Sequence, residues 1–171
     1  MNPAIPRLSV VLATYGRAET LDRTLDHLAR QDLDPAAFEV VVIDDGSPDD
    51  TGGVVARFAA TAPFHLVYLQ HPNRGPGYTQ NRGLREARAP IVLLIADDTW
   101  LVPGALRAHL AVHDLHPEPE VAVLGQVMQS PELNQSAFLR HWDPFGFADI
   151  RGAVELPFIM FWACNITVKK A

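Results

Sequence analysis

An internal disulfide needs two cysteines, and the sequence has one, Cys164. A disulfide-stapled secreted scaffold is therefore excluded, a reducing compartment is the simplest setting, and Cys164 reads as a small buried apolar residue. Long apolar runs are also missing. The longest, Leu156 to Cys164, is interrupted by Pro157 and is far shorter than the roughly 20 residues that cross a bilayer, so no membrane span is expected. The opening residues lack a charged segment followed by an apolar stretch of signal length, so secretion is not indicated. The expected location is the cytoplasm, with any membrane association supplied by another segment or a partner. Basic side chains are in the minority, 14 against 20 acidic, which leaves a net charge of -6. That balance offers no broad basic surface for nucleic acid. A phosphorylated ligand would have to be held by a few placed cations, by backbone N–H groups, or by a metal ion bridging it to carboxylates.

What is present suits one folded domain. A chain of 171 residues with 48% hydrophobic and 20% charged side chains can bury a sizeable core along its whole length. Four short apolar, β-branched runs recur at even spacing: Leu8–Ala13, Phe38–Ile43, Phe64–Leu69 and Ile91–Ile95. They read as buried parallel strands. Between them lie stretches of helical spacing, such as Leu21, Leu25 and Leu28 on one face. A second helix is expected from Ser47-Pro48, with Ser47 as N-cap, a third from about Tyr78 to Ala87, and a fourth after Pro103 ending near His116-Pro117. A fifth strand is expected at Val121–Met128, and Gln129 to Gly152 reads as a long, partly ordered connection. Strands alternating with helices imply right-handed crossovers and a mostly parallel sheet covered on both faces. Ligands of such sheets bind beyond the C-terminal strand ends.

Acids concentrate at those ends. Val40-Val41-Val42-Ile43 runs into Asp44-Asp45-Gly46-Ser47, and Ile91-Val92-Leu93-Leu94-Ile95-Ala96 runs into Asp97-Asp98. Turn formation or helix capping is the competing explanation for one such pair. Two of them at separate strand ends face one crevice. Adjacent carboxylates repel, and a divalent ion that also takes diphosphate oxygens would offset the repulsion. The first strand exits through Ala13-Thr14-Tyr15-Gly16-Arg17, which adds a hydroxyl, a cation and an aromatic ring able to stack on a base.

These residues together resemble the family 2 glycosyltransferases of the GT-A fold, over essentially residues 7 to 171. Ser9 to Arg17 is similar to the family's opening strand and Thr-Tyr-Asn-Arg turn, with Gly16 in place of Asn. Val42-Ile43-Asp44-Asp45-Gly46-Ser47 with Asp49-Asp50-Thr51 resembles its most recognisable signature. Asn73-Arg74-Gly75 and Asn81-Arg82-Gly83-Leu84 follow its Asn-x-Gly and Arg-Asn-x-Gly pattern, with Gln80 where Arg is common. Ala96-Asp97-Asp98-Thr99 stands where the family has the Asp-x-Asp metal motif. Phe158 to Thr167 resembles an apolar strand ending in an Asn-x-Ser/Thr turn on the acceptor side.

The resemblance implies an α/β, Rossmann-like, mostly parallel sheet with helices on both faces. It implies a single nucleotide-sugar-binding domain over 1–171, shortened at its acceptor-side end. The activity it implies is transfer of a sugar, with inversion, from a UDP, TDP or GDP donor to an unknown sugar, lipid or protein acceptor, with Mg2+ or Mn2+ as cofactor. Thr14, Tyr15, Arg17, Asp45 and Asp97 would bind the nucleotide-sugar: Tyr15 stacks on the base, Asp45 accepts the pyrimidine N3–H, and Asp97 contacts the ribose. Asp98 would hold the metal, although the Ala-Asp-Asp spelling lets the two acids exchange or share these roles. Arg17, Arg74 and Arg82 are candidates for the diphosphate, with solvated surface arginines as the alternative. The general base is expected beyond Ala171.

Other chemistry is less well supported. His109 and His113 are spaced i, i+4 like zinc ligands, but Leu110 stands where a metalloprotease has Glu, and a helix-surface pair is the simpler reading. Gly75-Pro76-Gly77 reads as a turn. A haloacid-dehalogenase-type phosphatase would need an Asp nucleophile where this chain has Ile43 or Ala96. A sugar nucleotidyltransferase would need a Gly-rich, basic loop after the first strand. The alternative of a different class is a non-catalytic nucleotide-sugar-binding or interaction module.

Overall fold

A computed structural model of the chain describes residues 5–130, 147, 150, 152 and 155–170. Its elements are β1 (Leu8–Thr14), α1 (Ala18–Ala29), β2 (Phe38–Asp44), α2 (Thr51–Ala59), β3 (His65–Gln70), α3 (Pro76–Glu86), β4 (Ile91–Ala96), α4 (Ala105–Leu115), β5 (Val123–Leu124) and β6 (Asn165–Lys169). They form a sheet of order β3-β2-β1-β4-β6-β5. The first four of these are parallel, and β6 and β5 extend the sheet antiparallel. The expected mostly parallel α/β architecture is therefore present.

The alternation of side chains along each strand divides the core in two. Val10, Leu12, Val40, Val42, Leu93 and Ile95 point to one face, where α1 (Leu21, Leu25, Leu28), α2 (Val55) and α4 (Leu106, Leu110) cover them. Val11, Val41, Ile43, Val92 and Leu94 point to the other, against Leu84 of α3 and Ala87 just beyond it. Gly83 allows that second packing. A Cβ there would lie 2.3 Å from Val11 Cγ1, so only glycine lets α3 approach β1 so closely.

Four boundaries differ from the sequence expectation. The third helix starts at Pro76 rather than near Tyr78, so Pro76 and Gly77, read as part of a turn, form its first residues behind the N-cap Gly75, because proline is well suited to the first helical position. The helix expected from Ser47 starts at Thr51, because Ser47 is held elsewhere: its N–H and hydroxyl both donate to Asp44 Oδ1, at 2.8 and 2.6 Å. The strand expected at Val121–Met128 shortens to Val123–Leu124. Among the described residues its strand neighbour is β6, and in antiparallel register any pairing beyond Gly125 runs past Asn165, where β6 begins. The apolar stretch before Asn165 is not a strand. Phe158–Met160 forms one 3-10 turn, and the strand starts at Asn165 and runs on to Lys169. The long connection expected at Gln129 to Gly152 lies mostly outside the described residues.

His109 and His113 account for part of that change. They are buried rather than on the helix surface. His109 contacts Thr167 Oγ1 through Nδ1 at 3.0 Å and Asn165 Oδ1 through Nε2 at 3.1 Å, while His113 Nε2 meets Thr167 Oγ1 at 2.8 Å. Asn165 Nδ2 donates on to Gln126 O at 3.3 Å. One assignment of protons satisfies this chain: His113 Nε2–H donates to Thr167, Thr167 to His109 Nδ1, and His109 Nε2–H to Asn165. It requires a neutral His109, whose Nδ1 accepts, while His113 Nδ1 is buried with no hydrogen-bond partner among the described residues, which disfavours a proton there. Burial lowers both pKa values, and at His113 the charges of Lys169 and His109 lower it further, with Asp114 opposing them. The unfolded chain takes up these protons below about pH 6.5 while the folded one resists them, so stability is expected to fall as pH drops through that value. Denaturant midpoints measured from pH 8 to pH 5 should decline more steeply for the parent than for a His109→Gln, His113→Gln double variant. Parallel declines would rule the pair out as the cause.

Among the described residues, no helix is long and apolar enough to cross a membrane.

Candidate functional site

β1 lies between β2 and β4, and the chain runs from β1 outward in one direction through β2 and β3 and in the other through β4. The C-terminal ends of β1 and β4 therefore flank the topological switch point, where open α/β sheets form a ligand crevice. Thr14, Tyr15, Arg17, Asp97 and Asp98 all sit there. Asp45 follows β2 next door, its N–H donating to Thr14 O at 2.9 Å.

The two acidic strand ends are built differently. Asp44 is fully buried, with Oδ1 taken by Ser47 and Oδ2 by the Tyr68 hydroxyl (2.6 Å) and Gln70 Nε2 (3.1 Å). Burial, then the bond to Asp44, pushes the Tyr68 phenol up, so it remains a neutral donor. Asp44 thus fixes the turn after β2. Asp45, 4% exposed, takes the backbone N–H of Arg74 on Oδ1 (2.7 Å) and of Gly75 on Oδ2 (2.9 Å). Gly75 precedes α3 and Pro76 is its first residue, so the carboxylate lies at a helix N-terminus. Burial opposes its charge, but the two amides, the Thr79 hydroxyl and, least, His71 outweigh burial, and its pKa lies below the usual carboxylate value. Each carboxylate oxygen retains capacity for a further donor. Gly46 makes this turn possible, at φ 80° and with no room for a Cβ beside Asn73 N and His71 O.

At β4 the neighbours Asp97 and Asp98 also diverge. Asp97 is 5% exposed and accepts from Thr14 Oγ1 (2.8 Å) and Arg17 Nη1 (2.8 Å), while its backbone carbonyl takes the Thr24 hydroxyl at 2.6 Å. Burial raises its pKa, against the opposing pull of Thr14 and Arg17. The Asp98 side chain is 49% exposed and meets Arg17 Nη2 through Oδ2 at 2.8 Å. Hydrogen bonding to Asp98 raises the Arg17 pKa, so the guanidinium stays charged. One arginine therefore offsets both carboxylates.

Of the remaining expected residues, Tyr15 is 50% exposed at the rim, free to present a ring face. Arg74 lies 5.0 Å from the Tyr78 ring centroid, and Arg82 donates to Gln70 O at 3.1 Å. Among the described residues, their side-chain contacts are therefore with Tyr78 and β3 rather than with Asp97 or Asp98.

His71 was not singled out in the sequence, and Asp49, which was, has a role the sequence did not assign. His71 is buried beside Asp45, its Nδ1 3.4 Å from Oδ1, and nothing in the local sequence marks it. Asp49 holds the start of α1: its Oδ2 accepts Ala18 N–H at 3.0 Å, while Oδ1 accepts the Thr51 hydroxyl at 2.5 Å. The Asp-x-Thr spacing was a readable signal for the second bond, but the first joins residues 31 apart.

Among the described residues no cluster of three or more His, Cys, Asp or Glu could cage a metal ion. Ions of the Mg2+ or Mn2+ type need no such cage, because one or two carboxylates hold them with the remaining positions filled by water and substrate phosphate. Asp98, half exposed, is the side chain available for that.

The sequence profile of Glycosyl transferase family 2 matches residues 9–166. The chain belongs to this family. Family membership agrees with the acidic strand ends, the switch-point crevice and the mostly parallel sheet. The validoxylamine A glucosyltransferase of Streptomyces hygroscopicus subsp. limoneus is 32% identical over 192 aligned residues, covering 98% of this chain and 42% of the relative. Among solved structures, the mannosyltransferase PcManGT of Pyrobaculum calidifontis, in complex with GDP-Man and Mn2+, matches with TM-score 0.63 and 32% identity, over 71% of this chain and 35% of that one. Staphylococcus aureus TarS 1–349 in complex with UDP-GlcNAc matches with TM-score 0.64 and 28% identity, over 75% and 38%. This family 2 chain thus spans less than half the length of the relatives it matches, and the GT-A neighbours bind nucleotide-sugar donors.

Proposed function

We propose that the chain is the donor-binding portion of a glycosyltransferase, taking a nucleoside-diphosphate sugar with Mg2+ or Mn2+ for transfer, with inversion, to a sugar, lipid or protein acceptor. The reading rests on one observation: a fixed acid, a half-exposed acid and an arginine converge where β1 and β4 diverge, and a second buried acid lies one strand away. The nucleotide-sugar ligands of the PcManGT and TarS structures support it.

In this reading Tyr15 stacks on the base and Asp45 accepts a ring N–H from it. Thr14 and Arg17 hold Asp97 in place toward the ribose, and Asp98 holds the metal. The metal, when bound, neutralises charge on the departing diphosphate. The protein's part is to bind and orient the donor with groups already fixed by their own partners, so little ordering remains when it arrives.

An ionised Asp45 can only accept. It suits a base carrying a ring N–H, as uracil, thymine and guanine do, and rejects cytosine, whose corresponding nitrogen is itself an acceptor. Calorimetric titration with UDP, TDP, GDP and CDP, with and without MnCl2, tests this. At least one of the first three should bind in a manganese-dependent way, with CDP weaker by about tenfold or more. Equal binding of CDP would remove Asp45 from base recognition, and binding indifferent to manganese would sink the donor-site reading in favour of a non-catalytic module.

A further inference from the structure

Arg17 stands where its own site calls for a cation. Its guanidinium spans the acidic pair, with Nη1 2.8 Å from Asp97 Oδ1 and Nη2 2.8 Å from Asp98 Oδ2. One member of the pair is fixed. Asp97 is pinned by Thr14 through its side chain and by Thr24 through its backbone carbonyl, and Asp98 is its neighbour in the chain. Arg17 is less constrained. It occupies the N-cap position of α1 with no side-chain capping bond, and its side chain is 45% exposed.

A divalent ion reaching Asp98 must therefore displace a guanidinium or accept it as a close like charge. Either cost falls on metal binding to the empty protein. A diphosphate changes the balance, because it supplies negative oxygens for the ion and an alternative partner for the arginine.

We propose that Arg17 is the resident counter-cation of the donor site, holding Asp97 and Asp98 together in the free protein and leaving Asp98 when a divalent ion arrives with a nucleotide diphosphate. It thereby makes metal binding conditional on nucleotide. The inference rests on the donor-site reading above and adds to it an order: the ion binds weakly alone and tightly with nucleotide. Coupling of this kind is reciprocal, so each ligand strengthens the other by the same factor.

The test is Mn2+ affinity, read without any turnover from the electron paramagnetic resonance signal of the free hydrated ion. Parent, Arg17→Gln and Arg17→Lys proteins are titrated with MnCl2 alone and with saturating UDP or GDP. Arg17→Gln should bind Mn2+ alone about tenfold more tightly than the parent, and the gain in Mn2+ affinity from nucleotide should shrink by a similar factor. Arg17→Lys keeps the charge but lacks the planar fork that places one nitrogen on each carboxylate, and should fall between the two. Thermal melts establish that the variants are folded, and the lysine variant alone suffices if the glutamine variant is not. If the parent binds Mn2+ with nucleotide and neither variant gains Mn2+ affinity without it, this inference fails and the donor-site reading stands. If the parent binds no Mn2+ even with nucleotide, both fall.

Discussion

Alanine at Asp98 is expected to abolish the metal dependence of nucleotide binding while leaving the fold intact. The Asp98 side chain is 49% exposed and its recorded partner is Arg17 Nη2, which is itself exposed. Exposed ion pairs contribute little to folding, and removing one of two adjacent like charges relieves repulsion, so stability should change by no more than about 0.5 kcal/mol. Ligand binding is affected very differently. An ion of the Mg2+ or Mn2+ type relies on one or two protein carboxylates, and Asp97 is already committed to Thr14 and Arg17. With the alanine, the half-exposed carboxylate beside Asp97 is lost. Manganese-dependent strengthening of UDP or GDP binding should drop by about 100-fold or more, equivalent to roughly 3 kcal/mol. Calorimetry with and without MnCl2 measures it, and retention of metal-dependent binding would move the metal away from Asp98. Asp97→Ala is a poorer test, since it also leaves buried Thr14 without its acceptor.

The largest effect on folding is expected at the opposite end of the sheet, from Glu39→Ala. Glu39, second residue of β2, is almost fully buried, and its carboxylate accepts from Ser9 Oγ at 2.6 Å, Arg88 N at 2.8 Å and Arg88 Nε at 2.7 Å. Ser9 in turn accepts Ala89 N–H at 3.0 Å, so one carboxylate organises β1, β2 and the approach to β4. Removing it strands a buried hydroxyl and a backbone N–H and leaves Arg88 without its counter-charge. Because Arg88 is about one-third exposed and can turn to water, the cost should be about 3 kcal/mol rather than the upper end for buried pairs. A melting temperature lower by on the order of 10 °C follows for a chain of this length. Glu39→Gln, which keeps an acceptor for Ser9, should lose less. Nucleotide affinity of the folded fraction should not change, since the network is at the N-terminal strand ends. Unchanged denaturant midpoints for both variants would contradict this account.

Glu39 also sets a pH limit. Burial raises its pKa, but Ser9 and the two Arg88 donors outweigh burial, and the net shift is downward. Its stabilisation is therefore present above the ordinary carboxylate range near pH 4.3 and is lost as pH falls through the lower folded value. The His109–His113 pair starts to lose stability earlier, below about pH 6.5. The two should appear as separate stages of acid unfolding.

Much of the candidate site is legible in the sequence. Asp44-Asp45, Asp97-Asp98 and the Thr14 to Arg17 turn follow apolar β-branched runs, and acids just after such strands lie at the ligand edge of a parallel sheet. The division of labour within each pair was not legible. Asp44 and Asp45 differ by one position, which in a strand reverses the face, and only the arrival of Tyr68 and Gln70 from β3 and of the Arg74 and Gly75 amides from the start of α3 decides which acid is structural. Ser47 failed as a helix cap for the same reason: Asp44 competes for its N–H and hydroxyl. The histidine pair at i, i+4 looked like an exposed helix pattern because Asn165 and Thr167, more than 50 residues away, are what bury it.

By itself, then, the sequence determined the alternation of strands and helices, the mostly parallel sheet and the edge at which its acids gather, because hydrophobic period and strand-end chemistry are local properties. Only the tertiary structure decided that Asp44 is a hub and that Asp45 takes the Arg74 and Gly75 amides at the start of α3. It alone decided that Arg17 bridges Asp97 and Asp98, and that the last strand begins at Asn165 rather than ending there. Those outcomes depend on which partners reach a given oxygen or nitrogen first, and the partners lie tens of residues away in the chain.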